Sequence, residues 1–156
     1  MVMVSQCLQR KGRSVWSIGP DASVYDALQL MAEKDIGALL VLERDELAGI
    51  FSERDYARKV VLKGNSSKET MLREIMTSRV ICVHQHQSID ECMALMTEYH
   101  VRHLPVLEGE KLVGVISIGD VVKEIISEQK TVQEAMDSCQ ADCEQIMIQG
   151  GNEISP

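Results

Sequence analysis

Two apolar spacings alternate along the chain in a fixed order. Val24, Ala27, Leu28 and Met31 recur at helical intervals, and so do Ile89, Cys92, Met93 and Met96. Two compact apolar runs follow each set: "ALLVL" and "LAGIF" after the first, "LPVL" and "LVGVI" after the second. The polar tetrads "ERDE" and "EGEK" separate the runs, a pattern that predicts a β-hairpin in each case. The short β-rich stretches "VWSI" and "VICV" stand ahead of the helical sets. A further helix is expected to open at each of two related phrases, "GIFSERD" and "GVISIGD". The predicted order is therefore β-α-β-β-α, written twice.

The duplication is also visible residue by residue. An offset of 65 aligns residues 15–61 with 80–126 without a gap. Val15 meets Val80, Ser23 meets Ser88, Leu30 and Met31 meet Leu95 and Met96, and "VLE" meets "VLE". Gly49, Ser52 and Asp55 meet Gly114, Ser117 and Asp120. A unit of about 47 residues buries too little apolar surface to be stable alone. Two copies packed sheet to sheet would share one core with approximate two-fold symmetry, and any cleft at the seam would occur twice. This divides the chain into a lead-in (1–14), a first repeat (15–63), a linker that turns helical (64–79), a second repeat (80–128) and a helical tail (129–156). The tail carries a stripe of Val132, Ala135, Met136, Cys139, Cys143, Ile146 and Met147, to pack on the body or on a partner, and "GGNEISP" is expected to fray.

Composition narrows the functional classes. The 156 residues carry a net charge of −8, against the basic face that a general nucleic-acid binder needs to neutralise phosphates. No apolar run reaches the roughly 18 residues that span a bilayer, so no membrane insertion is expected. Five irregularly spaced cysteines suit a reducing compartment. With no secretory signal evident, the expected location is cytoplasmic. There is no Walker-type phosphate loop and no nucleophile–base set, so the expectation is a non-catalytic protein. "HQH" (His84, His86) lacks a third ligand at a telling spacing and reads as an exposed loop entry. Cys139 and Cys143 lie one helical turn apart with no second pair nearby.

The repeated Ser-x-x-Asp has two readings. It matches a helix-capping box, and Ser23 and Ser88 open the other two helices in the same way. It also stands where a strand ends and a helix begins, a place where free amides meet anionic groups and an aspartate can hold a ribose diol.

The duplicated order, the "LPV" before the second hairpin and the closing GxxSxxD resemble a pair of CBS domains, the family named after cystathionine β-synthase. The likeness spans about residues 4–130, with "FSERDYARKV", "RHLPV" and "SIGDVVKEII" closest to small stand-alone bacterial members. It implies an α/β (α+β) fold of tandem β-α-β-β-α repeats with pseudo-two-fold symmetry, and two clefts that bind adenosine nucleotides such as AMP, ATP or NAD(H). One cleft would combine Ser52, Arg54 and Asp55 with Thr77, Val80, Ile81, Arg102, His103, Leu104 and Pro105. The other would combine Ser117 and Asp120 with Val15, Trp16, Gly37, Ala38 and Leu39. In both, the aspartate would hold the ribose.

The clefts are unequal, because Gly37 and Ala38 stand where the second copy has Arg102 and His103, and Gly119 stands where the first has Arg54. The Asp55 cleft is therefore expected to bind phosphate more tightly. The Asp120 cleft is left for a nucleoside end, a weaker ligand or nothing, unless Lys11, Arg13 or Lys123 compensates. Arg58 and Lys59 are expected on a solvated helix face. The resemblance also implies a disc-like homodimer regulating a separate client enzyme or transporter. The alternative is a ligand-free adaptor working through its dimer face and tail.

Overall fold

Four helices open on a serine whose hydroxyl accepts the N3 amide, as Ser23 does for Asp26 and Ser88 for Glu91, at 3.0 and 3.1 Å. These caps start α2 (Val24–Lys34) and α5 (Ile89–Tyr99), which end on Asp35 and His100 in the left-handed conformation. The structure is a computed structural model that describes residues 1–150, with side chains described through residue 142. The expectations for Cys143, Ile146, Met147 and the final segment fall outside the described side chains.

Each repeat contributes one three-stranded sheet. In the first, β1 (Ser17–Ile18) runs parallel to β2 (Ala38–Glu43), which pairs antiparallel with β3 (Glu46–Ser52). In the second, β4 (Val83–His84), β5 (His103–Glu108) and β6 (Lys111–Ser117) repeat the arrangement, and the bulge at Val41/Leu42 recurs at Val106/Leu107. The opening strands are shorter than "VWSI" and "VICV" suggest. The polar tetrads form the hairpin turns: Arg44 and Asp45 both take positive φ, the two-residue geometry that suits strand twist.

The helix after β3 departs from expectation. It runs as α-helix only over α3 (Glu53–Asp55) and continues as a π-helical segment over Tyr56–Val61. Its counterpart after β6 is a regular helix, α6 (Ile118–Gly150).

The segments outside the aligned repeats carry the main surprise. The lead-in forms α1 (Val4–Lys11), and its buried Val4, Cys7 and Leu8 join the core of the second repeat, with Val83, Leu104 and Ile116. The linker forms α4 (Leu72–Ile75), whose Leu72 and Ile75 join the core of the first repeat, with Val24, Leu39 and Phe51. The lead-in therefore completes the second repeat, not the first that it directly precedes, while the linker folds back on the first repeat, which it follows. Met3 bridges to Ser88, and Met71 bridges to Ser23. Met71 lies 68 residues after Met3, so the duplication extends into both segments with a three-residue shift. An ungapped comparison at 65 does not see it.

The closing glycines admit these crossing segments. A Cβ on Gly114 would lie 2.7 Å from Leu8 Cδ2, and one on Gly49 would lie 2.8 Å from Met76 Sδ and 2.9 Å from the Thr77 carbonyl oxygen. Behind Gly49, Ile50 and Thr77 exchange backbone hydrogen bonds of 3.0 and 2.9 Å, which covers the open edge of β3.

Candidate functional site

Both motif serines cap their helices, and both aspartates reach back to them. Asp55 Oδ2 accepts from the Ser52 amide at 3.0 Å, and Asp120 Oδ2 from the Ser117 amide at 2.8 Å. The capping reading is therefore correct as local structure. Each carboxylate has a second engagement, supplied by the crossing segment. Thr77 Oγ1 donates to Asp55 Oδ1 at 3.2 Å, and Lys11 Nζ donates to Asp120 Oδ2 at 2.5 Å.

Lys11 also donates to the Val115 carbonyl at 2.7 Å, so its ammonium does at β6 what the Thr77 backbone does at β3. The two sites share a plan but differ in what the crossing segment supplies, a neutral hydroxyl to Asp55 and a cation to Asp120. Burial pushes the Asp120 carboxyl up, but hydrogen bonds from Lys11 and Ser117 outweigh it and leave the group below its ordinary value.

Lys59 corrects an expectation. It does not lie on a solvated face, because its Nζ sits 3.0 Å from Asp55 Oδ1 and donates to the Ile75 carbonyl at 3.0 Å. Asp55 is 9% exposed, and partners already surround its carboxylate.

Two cavities flank the seam, each of about 260 Å³. The first is walled by Val15, Trp16, Ala38, Leu40, Ile50 and Val115, with Lys11, Ser14 and Ser117 at its polar edge. Lys34 Nζ sits 4.3 Å from the centroid of the Trp16 ring, a cation–π contact that fixes the indole. The second is walled by Ser52, Glu53, Arg54, His100, Arg102 and Ile118. Gly37 and His103 line both, and the space above Gly37 is limited only by His103 Cε1, 3.8 Å from where a Cβ would be.

Of the residues assigned to the Asp120 cleft, Val15, Trp16, Gly37, Ala38 and Ser117 come together around one cavity. Leu39 does not. The two-residue period of β2 turns Ala38 and Leu40 to the cavity and sends Leu39, 1% exposed, into the first core. Leu104 is the same case in β5, fully buried in the second core between His103 and Pro105. Of the Asp55 set, Ser52, Arg54, Arg102 and His103 line the second cavity, and Thr77 touches Asp55 itself. Asp55, Thr77, Val80, Ile81 and Pro105 line neither cavity.

Arg54 reaches across the seam to the His100 carbonyl at 3.3 Å, and Arg102 is exposed. His103 is held below its ordinary pKa, first by burial and then by the nearby Lys11, so its ring is neutral at physiological pH. Of the further cations considered, Lys11 does enter the Asp120 cleft, while Arg13 bonds Gln85 at 2.9 Å and Lys123 is exposed on α6. Ser14, Leu40, Ile50 and Val115 are among the lining residues that the sequence comparison missed. Strand alternation carried the signal for Leu40. Nothing local set Lys11 apart from Arg13 and Lys123, and it arrives through the crossing of α1.

A duplicated β-α-β-β-α body with a motif aspartate on either side of one seam defines the class as a tandem-repeat module with paired clefts. The comparisons with known proteins agree. The CBS domain matches this chain twice, over residues 11–62 and 72–127, and the chain belongs to that family. A solved CBS-domain protein from Burkholderia ambifaria MC40-6 is 56% identical with a TM-score of 0.79, covering 82% of this chain and 96% of that one. The mitochondrial CBS domain-containing protein CBSX3 of Arabidopsis thaliana is 38% identical over 137 residues, which are 81% of this chain and 66% of that protein. The CBS domain pair of protein MJ0100, solved with 5′-methylthioadenosine and S-adenosyl-L-methionine, shares the fold with a TM-score of 0.73 at 21% identity, covering 82% of this chain and 98% of that one. Among the described residues no helix is long and apolar enough to cross a membrane.

Proposed function

We propose that this chain is a sensor of adenosine nucleotides of the AMP, ATP or NAD(H) type. The nucleoside end would lie in the Asp120 cleft and the phosphates would run past the seam to Arg54 and Arg102. One observation carries the reading: an apolar, tryptophan-walled cavity and an arginine-lined cavity share Gly37 and His103 as a common wall. An apolar slot takes a base, Asp120 and Ser117 can bond a ribose diol, and paired guanidiniums match phosphate oxygens. The cations thus serve the ligand of the neighbouring cleft as well as their own. The Asp55 cleft remains the candidate for a second molecule, with Thr77, Val80, Ile81 and Pro105 on its side.

Lys11 links binding to a response. A ribose on Asp120 must share or displace the Lys11 ammonium, and Lys11 closes α1. The neighbouring Arg10 pairs with Glu124 of α6. A ligand that favours one setting of α1 therefore biases the start of α6, and through it the tail and any client bound there. A homodimer acting on a separate enzyme or transporter is the arrangement this proposal takes.

The test is calorimetric titration of the full chain with AMP, ATP, NADH and S-adenosylmethionine at fixed salt. Saturable micromolar binding of one ligand supports the proposal. Asp120→Ala should then weaken it 10- to 100-fold, the equivalent of about 1–3 kcal/mol for a hydrogen bond to a charged group. Asp55→Ala reports on the second cleft in the same assay. No heat from any ligand, with the fold intact, leaves capping as the whole role of the motif and the adaptor reading standing.

A further inference from the structure

The tail helix raises a question of its own. At about 1.5 Å per residue, the 33 residues of α6 span roughly 50 Å. Its first turns pack on the body through Val121 and Glu124, whereas every residue from Gln129 to Asp142 is exposed. A helix draws most of its stability from packing an apolar face, and this stretch has none of its own to pack against.

The spacing of its apolar residues says what would cover it. Val122, Ile125, Gln129, Val132, Met136 and Cys139 stand at alternating intervals of three and four, and the sequence keeps the interval at Cys143 and Ile146. That is a strict 3.5-residue period over more than three heptads, with Val122, Gln129 and Met136 at a and Ile125, Val132 and Cys139 at d. A two-residue seam of this period fits a second helix of the same kind, supercoiled with it. Val122, Val132 and Met136 are 40%, 55% and 62% exposed, so the seam is open from Gln129 onward, while Ile125 at its start packs on the core of the second repeat.

We infer that α6 forms a parallel, in-register two-stranded coiled coil with α6 of a second copy of this chain. Charge placement favours that occupant. Lys130, Glu134 and Asp137 lie at b, f and b, away from the seam, so two acidic chains approach along an uncharged strip. In the parallel register Glu128 at g faces Gln133 at e of the other copy, and Ala135 faces Gln140, so no like charges meet. Reversing one helix turns Glu128 towards Asp142 of the other copy. Gln129, the single polar a residue, pairs with its own counterpart only in register. The seam begins beside the body, where Ile125, Asp90 and Val132 edge an open groove, so the two bodies would sit side by side.

The test uses the full chain with Cys82→Ser and Cys143→Ser, which leaves Cys139 as its one exposed thiol beside the buried Cys7 and Cys92. At d in a parallel pair, the two Cys139 sulfurs share a layer. Diamide, taking two electrons and two protons from them, should form an interchain disulfide in most of the chain within minutes. Val132→Glu with Met136→Glu, both at exposed positions, should slow that linkage at least tenfold while leaving the unfolding midpoint of the body unchanged. A Cys139 that stays unlinked, or that links equally fast with the charged seam, overturns the coiled coil.

Discussion

Adding a single methyl group at Gly114 tests whether the lead-in helix really locks the second repeat. In an unobstructed strand, Gly→Ala stabilises by about 0.5–1 kcal/mol, because the chain gives up less entropy on folding. Here the new Cβ would meet Leu8 Cδ2 at 2.7 Å and Cδ1 at 3.1 Å. Carbon atoms rest at about 3.5–4.0 Å, so Leu8 must retreat by roughly 0.9 Å. It has nowhere to go, being fully buried among Val4, Cys7 and Ile116. The overpacking penalty of about 1–3 kcal/mol should exceed the entropic gain, and Gly114→Ala should destabilise by about 1–2 kcal/mol. For a chain of this size that lowers Tm by about 2–8 °C.

A cycle in urea isolates the contact. Leu8→Ala alone should cost about 2–5 kcal/mol. In that background Gly114→Ala should become neutral or stabilising, a coupling of about 1–3 kcal/mol. Stabilisation by Gly114→Ala in the native background, or an equal cost in both, would refute the crossing of α1 onto β6.

Gly49→Ala should also destabilise, and it should loosen Asp55, since the Thr77 carbonyl 2.9 Å from the new Cβ belongs to the residue that donates to that carboxylate. Amide hydrogen exchange at Ile50 reads it directly. Stability should fall as pH drops below about 6.5, because burial depresses the folded-state pKa of His103 and the unfolded chain then binds the extra proton. His103→Gln should flatten that limb of a Tm-against-pH curve. At more acid pH, below the ordinary carboxylate value near 3.9, a second loss should follow as Asp120 is protonated and releases Lys11, and Lys11→Met should remove it. Cys7 and Cys92, both pushed up to about 11 chiefly by burial, should resist alkylation at pH 8 in the folded chain, while Cys139 reacts at once. Mass spectrometry of the labelled peptides settles the order.

Much of the fold could be read in advance because the repeat supplies an internal control. Serine caps and the hairpins each occur twice at one spacing and form as their patterns predict, whereas the closing motif caps a regular helix only after β6 and leads into a π-helical segment after β3. Legibility stopped where contacts cross between units. Leu8 and Leu72 show ordinary helical spacing, and nothing in that spacing tells which core they enter. Lys59 looked like any surface lysine because the π-helical turn and the Thr77 crossing that give it partners are tertiary facts. Leu39 and Leu104 were misassigned for a simpler reason, since neighbouring residues on a strand face opposite sides.

The chain contains one tryptophan, and it walls the cavity edged by Lys11 and Ser117, the two partners of Asp120. Titrating Trp16 fluorescence with AMP, ATP and NADH therefore tests the central claim in the cleft itself. The account predicts a saturable change at micromolar ligand, lost or shifted at least tenfold by Asp120→Ala and weakened by Arg102→Ala. A signal that no nucleotide changes, in a chain whose calorimetry is equally silent, would contradict nucleotide sensing at this seam.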